Sequence, residues 1–186
     1  GPRLGVGGPR GRGGGAAAVR GPRRAEGGPP PAPPPSEAID TRQSGTTSRF
    51  ALPLLALGSG AYRVTAHPQM QARPMGTTFD ALAELGMGVE GLGEAGRVRA
   101  MVSGGGGGTR VLRVPGDVSS QFLSGLLMIG PCLPDGLIIE LTTALVSRPY
   151  VDLTIAVMAS FGAIVDQPDD RTFSVSPGGY VATAYA

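Results

Sequence analysis

The chain has 186 residues, among them 32 Gly, 18 Pro and a single cysteine, and its formal net charge is +2. One cysteine excludes an internal disulfide and fits a reducing compartment, and the N-terminus lacks the apolar segment of a signal peptide. No uncharged apolar stretch approaches the ~20 residues needed to span a bilayer, so we expect a cytoplasmic protein with no membrane segment.

Residues 1–36 differ in composition from the rest of the chain. They hold eleven Gly, nine Pro and six Arg against one acid, Glu26, and too few apolar side chains to offset the entropy of ordering them. We therefore expect a disordered tail at 1–36 and a folded domain at 37–186. A basic arm can bind nucleic acid, but no Phe or Tyr accompanies the Gly-Arg steps to stack on bases, which argues against a nucleic-acid partner.

The first part of the folded region predicts alternating helices and strands from its apolar periods. Pro74 is placed in the first turn of the second helix, and Gly86 is placed to end that helix. In chain order the predicted elements are a helix at 44–57, a strand at 61–66, a helix at 75–85, strands near Val89 and at 98–102, and a flexible glycine loop at 104–108.

The next segment repeats this order at an offset of about 75 residues, which is the mark of a repeat architecture. Ser44 matches Ser119, and Arg73 matches Arg148. Two helices and about four short strands per copy predict layered α/β units packed around shared helices. The second copy comprises a strand at 110–114, a helix at 119–129 stopped by Pro131, a strand at 137–141, a helix from Pro149 to Phe161, and strands near Ile164 and at 173–175.

Small and hydroxylated residues cluster at three predicted helix starts, where backbone N–H groups attract anions. In QSGTTSR, at 43–49, Gly45 permits close approach by a ligand oxygen. In DVSSQFL, at 117–123, two Ser hydroxyls can donate to phosphate oxygens, and the Gln can donate and accept. In LVSRPYVD, at 145–152, Ser147 and Tyr150 flank an Arg-Pro step.

A matching Arg-Pro step in the first copy places Arg73 beside a predicted helix start. Its guanidinium is a permanently charged fork that suits a carboxylate or a phosphate. Each cluster alone can also be explained by ordinary helix capping. Their common register in the repeat points instead to a small substrate with several negative charges.

Groups for proton transfer and metal binding are sparse. His67 lies at a strand end before Pro68, where we expect a surface or structural role. Cys132 lies in the apolar run at 126–133, so we expect a small buried side chain and not a nucleophile. No His, Cys and carboxylate residues have metal-ligand spacing, and no nucleophile has a neighbouring base. The sequence therefore predicts no metal site and no catalytic acid or base in this chain.

Taken together, the clusters resemble the EPSP synthase family of enolpyruvyl transferases. The string GDVSSQFLSGLLM, at 116–128, is similar to the family's Ser-Ser-Gln motif, and LVSRPYVDLTIAVMASFGA, at 145–163, to its Ser-Arg/Lys-Pro-Tyr segment. SGTTSRF, at 44–50, followed by QARPMG, at 71–76, resembles the phosphoenolpyruvate side of the family's site. The resemblance covers residues 39–185 almost without interruption.

This resemblance implies an α/β fold of repeated βαβαββ units, an inside-out α/β barrel, of which this chain holds about two units of an incomplete domain. It implies transfer of the carboxyvinyl group of phosphoenolpyruvate to the 5-hydroxyl of shikimate 3-phosphate, with release of phosphate. The reaction proceeds by addition and elimination, serves aromatic amino-acid biosynthesis, and needs no metal or organic cofactor. The full-length protein is expected to be a monomer, and this chain alone is expected to lack turnover.

Residue by residue, the resemblance assigns substrate contacts to all three clusters. Gln121 is implied to reach both substrates. Gln43 departs from the family's usual Asn, and Phe50 stands where plant-like members have Pro. The implied contacts to shikimate 3-phosphate are Ser119, Ser120, Gln121, Ser147 and Tyr150; those to phosphoenolpyruvate are Gly45, Arg73 and Gln121; and Thr46, Arg49 and Arg148 are further candidates.

Two alternatives remain open on sequence grounds. The first is the sister enzyme that transfers enolpyruvate to UDP-N-acetylglucosamine, which usually carries a reactive Cys shortly before its Arg-Pro step. The equivalent stretch here, at 67–72, has none. The second is a non-catalytic α/β binding module with a basic arm for nucleic acid.

Overall fold

The computed structural model describes residues 38–105 and 108–184. The predicted tail at 1–36, the middle of the predicted glycine loop and the last two residues lie outside the described residues. Among the residues that are described, no helix is both long enough and apolar enough to cross a membrane.

The first unit contains four strands and two longer helices, with a one-turn helix between β2 and α3. α1 begins after the N-cap Ser44, whose hydroxyl accepts a hydrogen bond from the Thr47 N–H, and it contains Pro53. The chain leaves α3 through Gly86, whose φ of 79° is left-handed. The elements are β1 (Ala38–Asp40), α1 (Gly45–Ala56), β2 (Ala61–Thr65), α2 (Pro68–Gln71), α3 (Gly76–Glu84), β3 (Gly88–Gly91) and β4 (Ala100–Ser103).

The second unit repeats this order without the one-turn helix. Ser119 caps α4, and Pro149 stands in the first turn of α5, as the sequence predicts. Gly162, with φ of 82°, follows α5 as Gly86 follows α3. The elements are β5 (Val111–Val114), α4 (Ser120–Ile129), β6 (Leu137–Leu141), α5 (Arg148–Ser160), β7 (Val165–Asp166) and β8 (Thr172–Val175).

Each unit forms its own four-stranded sheet with the same topology. The strand orders are β1-β2-β4-β3 and β5-β6-β8-β7. In both sheets the first two strands are parallel, and the remaining pairs are antiparallel. The predicted repeat is therefore confirmed as two βαβαββ units, and the two parallel strands of each unit end at one edge of its sheet.

The two units meet through their first helices, α1 and α4, which pack against each other. Eight of the ten residues of α4 are buried, as expected for a helix enclosed on several sides. Leu52 of α1 and Leu126 and Leu127 of α4 are fully buried. One continuous core joins these helices to both sheets, so the units share it.

Two predictions about local structure in the first unit need correction. Pro74 does not lie in the first turn of α3, because Met75 is the N-cap residue. Pro74 instead forms an isolated antiparallel bridge with Arg97, and the Met75 N–H donates to the Gly96 carbonyl over 2.8 Å. A tertiary contact thus holds this proline extended. β4 begins at Ala100 instead of residue 98, since the preceding residues form a turn.

Two short elements, β1 and α2, are absent from the sequence-based assignment. A strand of three residues and a helix of four are too short for a hydrophobic period to emerge. β1 exists because it pairs in parallel with β2, from which it is separated by α1. That pairing is a long-range contact, and local sequence does not encode it.

The prediction of a buried Cys132 is wrong, because its side chain is exposed. After α4 the chain tightens into a 3-10 turn at Gly130–Cys132, in which Pro131 takes the buried position. Neighbouring atoms still remove part of the solvent around the sulfur, and this partial burial raises the pKa of the Cys132 thiol. A raised pKa keeps the thiol protonated near neutral pH, which agrees with the prediction that it is no nucleophile.

Gly125 sets the closeness of α1 and α4. A Cβ at this position would lie 2.7 Å from the Arg49 carbonyl oxygen on the facing helix. Gly125→Ala should therefore destabilise the protein by about 1–3 kcal/mol, because the helices must separate, although helix propensity alone favours Ala by about 1 kcal/mol. Urea unfolding measures the difference. Gly76→Ala is the matched control, since a Cβ there meets no atom within 4 Å, and equal stability of the two variants would contradict the interpretation.

Candidate anion-binding site

The three clusters of candidate residues follow the parallel strands. The first begins after β1, the second after β5 and the third after β6, and each ends in the N-terminus of a long helix. α1, α4 and α5 therefore begin at the carboxyl-terminal edges of the two sheets. Backbone N–H groups at these helix starts favour bound anions.

Three hydroxyls of the first cluster are occupied within the protein. Ser44 caps α1, and the Thr47 hydroxyl donates to the Ser44 hydroxyl oxygen over 2.8 Å. The buried Ser48 hydroxyl oxygen lies 2.9 Å from the Ser44 carbonyl oxygen and 2.7 Å from the Thr41 hydroxyl oxygen, so its hydrogen-bond partners lie within the protein. These residues build the turn. Gly45, Thr46 and Arg49 are the members of the cluster that face other parts of the site.

Two guanidinium groups converge on Gly45. A Cβ added to Gly45 would lie 3.0 Å from Arg49 Nη1 and 3.2 Å from Arg73 Nη1. Partial burial, and secondly the neighbouring positive charge of Arg73, lower the pKa of Arg49. Two like charges held this close repel each other until an anion lies between them, so the arrangement suits a phosphate or carboxylate.

Gln121 connects the two units at this point. Its Oε1 accepts a 3.0 Å hydrogen bond from Arg49 Nη1, and its Nε2 donates to Thr46 Oγ1 over 2.7 Å. A guanidinium can only donate, so the carboxamide oxygen must face Arg49, which fixes the orientation of the amide. Gln121 and Thr46 are 75 residues apart, the offset of the predicted repeat.

The second and third clusters place hydroxyls at the starts of α4 and α5. The Ser119 hydroxyl accepts a 3.3 Å hydrogen bond from the Gln121 N–H, and Ser120 is buried in the first turn of α4. Ser147 precedes α5 in the left-handed conformation, with φ of 57° and ψ of 42°, and its side chain does not cap the helix. Tyr150 is 65% exposed.

Arg148 is engaged by protein groups. Its Nε donates to Asp152 over 3.0 Å, its Nη2 donates to Gln167 Oε1, and its guanidinium carbon lies 5.9 Å from the centre of the Phe173 ring. These contacts link the start of α5 to β8. Arg148 thus differs from Arg73, which matches it in the repeat and converges on Gly45.

A largely apolar groove of about 790 Å³ extends from these polar groups along α1, α4 and α5. Thr46, Ser120, Gln121 and Tyr150 are the predicted site residues that line it. Its other lining residues, to which the sequence assigned no substrate contact, are Phe50, Ser124, Met128, Leu153, Thr154, Val157, Met158, Phe161 and Tyr180.

Ser124 and Thr154 form a pair of hydroxyls in this groove that the helical spacing of the sequence could have indicated. Ser124 follows Ser120 by one turn of α4, and Thr154 follows Tyr150 by one turn of α5, so each lies on the same helix face as a predicted contact. The Ser124 and Thr154 hydroxyls share a 2.8 Å hydrogen bond. This pair joins α4 to α5 directly below the candidate contacts.

His67 has the surface role that the sequence predicts. It is exposed and caps the one-turn helix α2, where its Nδ1 accepts a 3.3 Å hydrogen bond from the Gln69 N–H. Within residues 38–105 and 108–184, no three His, Cys, Asp or Glu side chains are grouped so as to hold a metal ion.

The family model and the relatives that match this chain point to the same family. The chain matches the family EPSP synthase (3-phosphoshikimate 1-carboxyvinyltransferase) over residues 23–185, a match that begins inside the predicted tail. The 3-phosphoshikimate 1-carboxyvinyltransferase of Shewanella pealeana is 38% identical over 135 residues, covering 73% of this chain and 32% of the relative. That of Bordetella pertussis is 41% identical over 140 residues, covering 72% and 31%.

A solved structure agrees on the fold. EPSP synthase from Acinetobacter baumannii superposes with a TM-score of 0.67 at 21% identity, covering 80% of this chain and 32% of that one. At this identity the likeness shows the fold alone. The chain thus spans about a third of the length of the relatives that it matches.

Arg73→Gln removes one of the two cations at Gly45 and leaves a polar side chain. We expect the ligand-free protein to gain slightly in stability, by about 0.5 kcal/mol, because an exposed like-charge repulsion is removed. Stabilisation by inorganic phosphate should fall, because the anion loses one partner. Thermal unfolding with phosphate, against chloride at equal ionic strength, measures both effects. Arg63→Gln, an exposed arginine of β2, is the control, and equal phosphate stabilisation of both variants would refute the site.

Proposed function

We propose, because the chain belongs to the EPSP synthase family, that it binds the substrates of enolpyruvyl transfer from phosphoenolpyruvate to the 5-hydroxyl of shikimate 3-phosphate. The observation that carries this proposal is the convergence of Arg49, Arg73 and Gln121 between helix starts of the two units. Both substrates are small polyanions, and the released product is phosphate. The charge and the hydrogen-bonding groups of the site suit them.

Phosphoenolpyruvate is assigned to the first unit. Arg73 and Arg49 present two guanidinium groups to one position, and such forks bind carboxylate and phosphate in a bidentate manner. Gly45 is buried and has no side chain, so a substrate oxygen can approach the backbone at the start of α1. Thr46 contributes by holding the Gln121 amide. Repulsion between the arginines is relieved when the substrate is bound.

Shikimate 3-phosphate is assigned to the second unit. Ser119 and Ser120 lie at the start of α4, and Ser147 and Tyr150 lie at the start of α5, so four hydroxyls come from two adjacent helix N-termini. Hydroxyls and N–H groups at such positions donate to phosphate oxygens. Tyr150 lines the groove with Ser120, where its exposed ring is placed to contact the carbocycle.

Gln121 is placed to control the relation between the two substrates. Its side chain is fixed by Arg49 and Thr46 of the first unit, while its backbone belongs to the Ser-Ser-Gln turn of the second. A residue held in this way brings two bound substrates into a defined orientation, which lowers the entropy cost of their reaction. We assign binding and orientation to these residues, and assign no proton transfer to any of them.

The relatives named above do not support the alternative substrate UDP-N-acetylglucosamine. The family and the relatives named above carry the name 3-phosphoshikimate 1-carboxyvinyltransferase. Cys132 is also far in sequence from the Arg73-Pro74 step, near which the sister enzymes place their reactive cysteine.

Binding of shikimate 3-phosphate by the 186-residue chain tests the proposal. The double substitution of Ser119 and Ser120 by Ala should weaken binding about 10–100-fold, since a hydrogen bond to a charged group contributes about 1.5–3 kcal/mol. Isothermal titration calorimetry measures the affinity. Ser160→Ala, which removes an exposed hydroxyl near the end of α5, should bind as the unsubstituted chain does. Absence of binding by the unsubstituted chain, or unchanged binding by the double variant, would refute the assignment.

The absence of turnover in this chain alone stays a prediction. The residues described above supply anion contacts and orientation, whereas addition and elimination also need groups that move protons. We expect no phosphate release above background when the purified chain is mixed with phosphoenolpyruvate and shikimate 3-phosphate. A steady release that scales with protein concentration would show that proton-transfer groups have been overlooked.

A further inference from the structure

Two loops of the second unit carry the contacts assigned to shikimate 3-phosphate. The loop at 115–119 follows β5 and ends at Ser119, and the loop at 142–147 follows β6 and ends at Ser147. β5 and β6 are parallel neighbours, so both loops leave the same edge of the sheet. The separation of the serines therefore depends on how these two loops are held together.

Thr143 joins the loops through three hydrogen bonds. Its Oγ1 accepts from the Gly116 N–H over 2.9 Å and from the Asp117 N–H over 3.2 Å. The same hydroxyl donates to Asp117 Oδ1 over 2.8 Å, which uses its one proton. One side chain of the β6 loop thus holds two consecutive amides and a carboxylate of the β5 loop.

The backbones of the two loops are also in direct contact. The Val146 N–H donates to the Gly116 carbonyl over 3.1 Å. A Cβ on Gly116 would lie 2.7 Å from the Thr143 carbonyl oxygen and 3.1 Å from the Ala144 carbonyl carbon. Glycine is required for this approach, and at this separation a threonine hydroxyl reaches the facing amides without distortion.

The first unit joins its equivalent loops differently. There the buried Thr41, directly after β1, donates through its hydroxyl to the Thr65 carbonyl at the end of β2 over 3.1 Å. The His67 N–H donates to the Arg42 carbonyl over 2.9 Å. Both units therefore use a threonine hydroxyl at this edge of the sheet, but the threonine follows the first parallel strand in one unit and the second parallel strand in the other.

We propose that Thr143 is a positioning residue for shikimate 3-phosphate, an inference that rests on the function proposed above. Thr143 acts through Gly116 and Asp117. It holds the loop that leads to Ser119 and Ser120 in a fixed position relative to the loop that ends at Ser147. It touches no substrate. The Thr143 hydroxyl thereby sets the distance between the start of α4 and the start of α5, whose hydroxyls bind one ligand.

Three variants of the 186-residue chain separate this role from a general effect on folding. Thr143→Val keeps the shape and removes the hydroxyl, Thr143→Ser restores it, and Thr142→Val makes the same change one residue earlier. The Thr142 side chain makes none of the hydrogen bonds found among the described residues. Shikimate 3-phosphate binding should weaken about tenfold in Thr143→Val and stay within about twofold in the other two variants.

Amide hydrogen exchange gives a readout that does not depend on the ligand. The Gly116 and Asp117 amides should exchange slowly in the unsubstituted chain and in Thr143→Ser, and faster in Thr143→Val. If Thr143→Val does not fold, the exchange rates of the unsubstituted chain still test the role of Thr143. Rapid exchange of the Gly116 and Asp117 amides in that chain would overturn the inference.

The possible failures are distinguishable. Undiminished binding by Thr143→Val, beside lost binding in the Ser119 and Ser120 double variant, would overturn the role of Thr143 and leave the proposed function standing. Failure of Thr143→Ser to restore binding would also overturn it, because the hydroxyl would not be the cause. If the unsubstituted chain does not bind shikimate 3-phosphate, the proposed function fails, and the positioning role fails with it.

Discussion

The contact between α1 and α4 is the constraint on which the rest of the structure depends. Gly125 lets the two helices approach so closely that a methyl group there would meet the Arg49 carbonyl oxygen. At this separation Gln121, in the first turn of α4, reaches both Arg49 and Thr46. A wider spacing would leave the carboxamide without partners and would separate the hydroxyls of the second unit from the cations of the first. Packing in the core thus sets the geometry of the polar site above it.

Two positive charges repel each other in the site, and a bound anion can relieve this repulsion. Arg49 and Arg73 converge on Gly45, and partial burial with the neighbouring charge lowers the pKa of Arg49. Arg49 also donates to the neutral Gln121 amide, which orients it without cancelling its charge. Arg148 shows the contrasting case, because Asp152 and Gln167 occupy its guanidinium. Two arginines at matching positions of the repeat therefore have different environments: one is available to an anion, and the other links α5 to β8.

The repeat explains how one architecture serves both halves of the site. Each unit places a helix start at the carboxyl-terminal edge of two parallel strands, and each has a threonine hydroxyl that forms hydrogen bonds across this edge. The side chains that follow have diverged, with arginines and a glycine in the first unit and serines and a tyrosine in the second. The difference is the basis on which the two proposed substrates are assigned to different units.

The sequence by itself determined the four longer helices, most of the strands, the repeat and the three clusters, because these follow from local periods, capping residues and Arg-Pro or Ser-Ser-Gln steps. Only the tertiary structure decided which cluster residues meet. Ser44 and Ser48 are used to build a turn, Arg148 is engaged by carboxylate and amide, and Cys132 is exposed where its apolar neighbours suggested burial. The sequence also did not predict the β1 strand, the bridge at Pro74 or the loop contact of Thr143. Each depends on hydrogen bonds between residues distant in sequence, which no local pattern encodes.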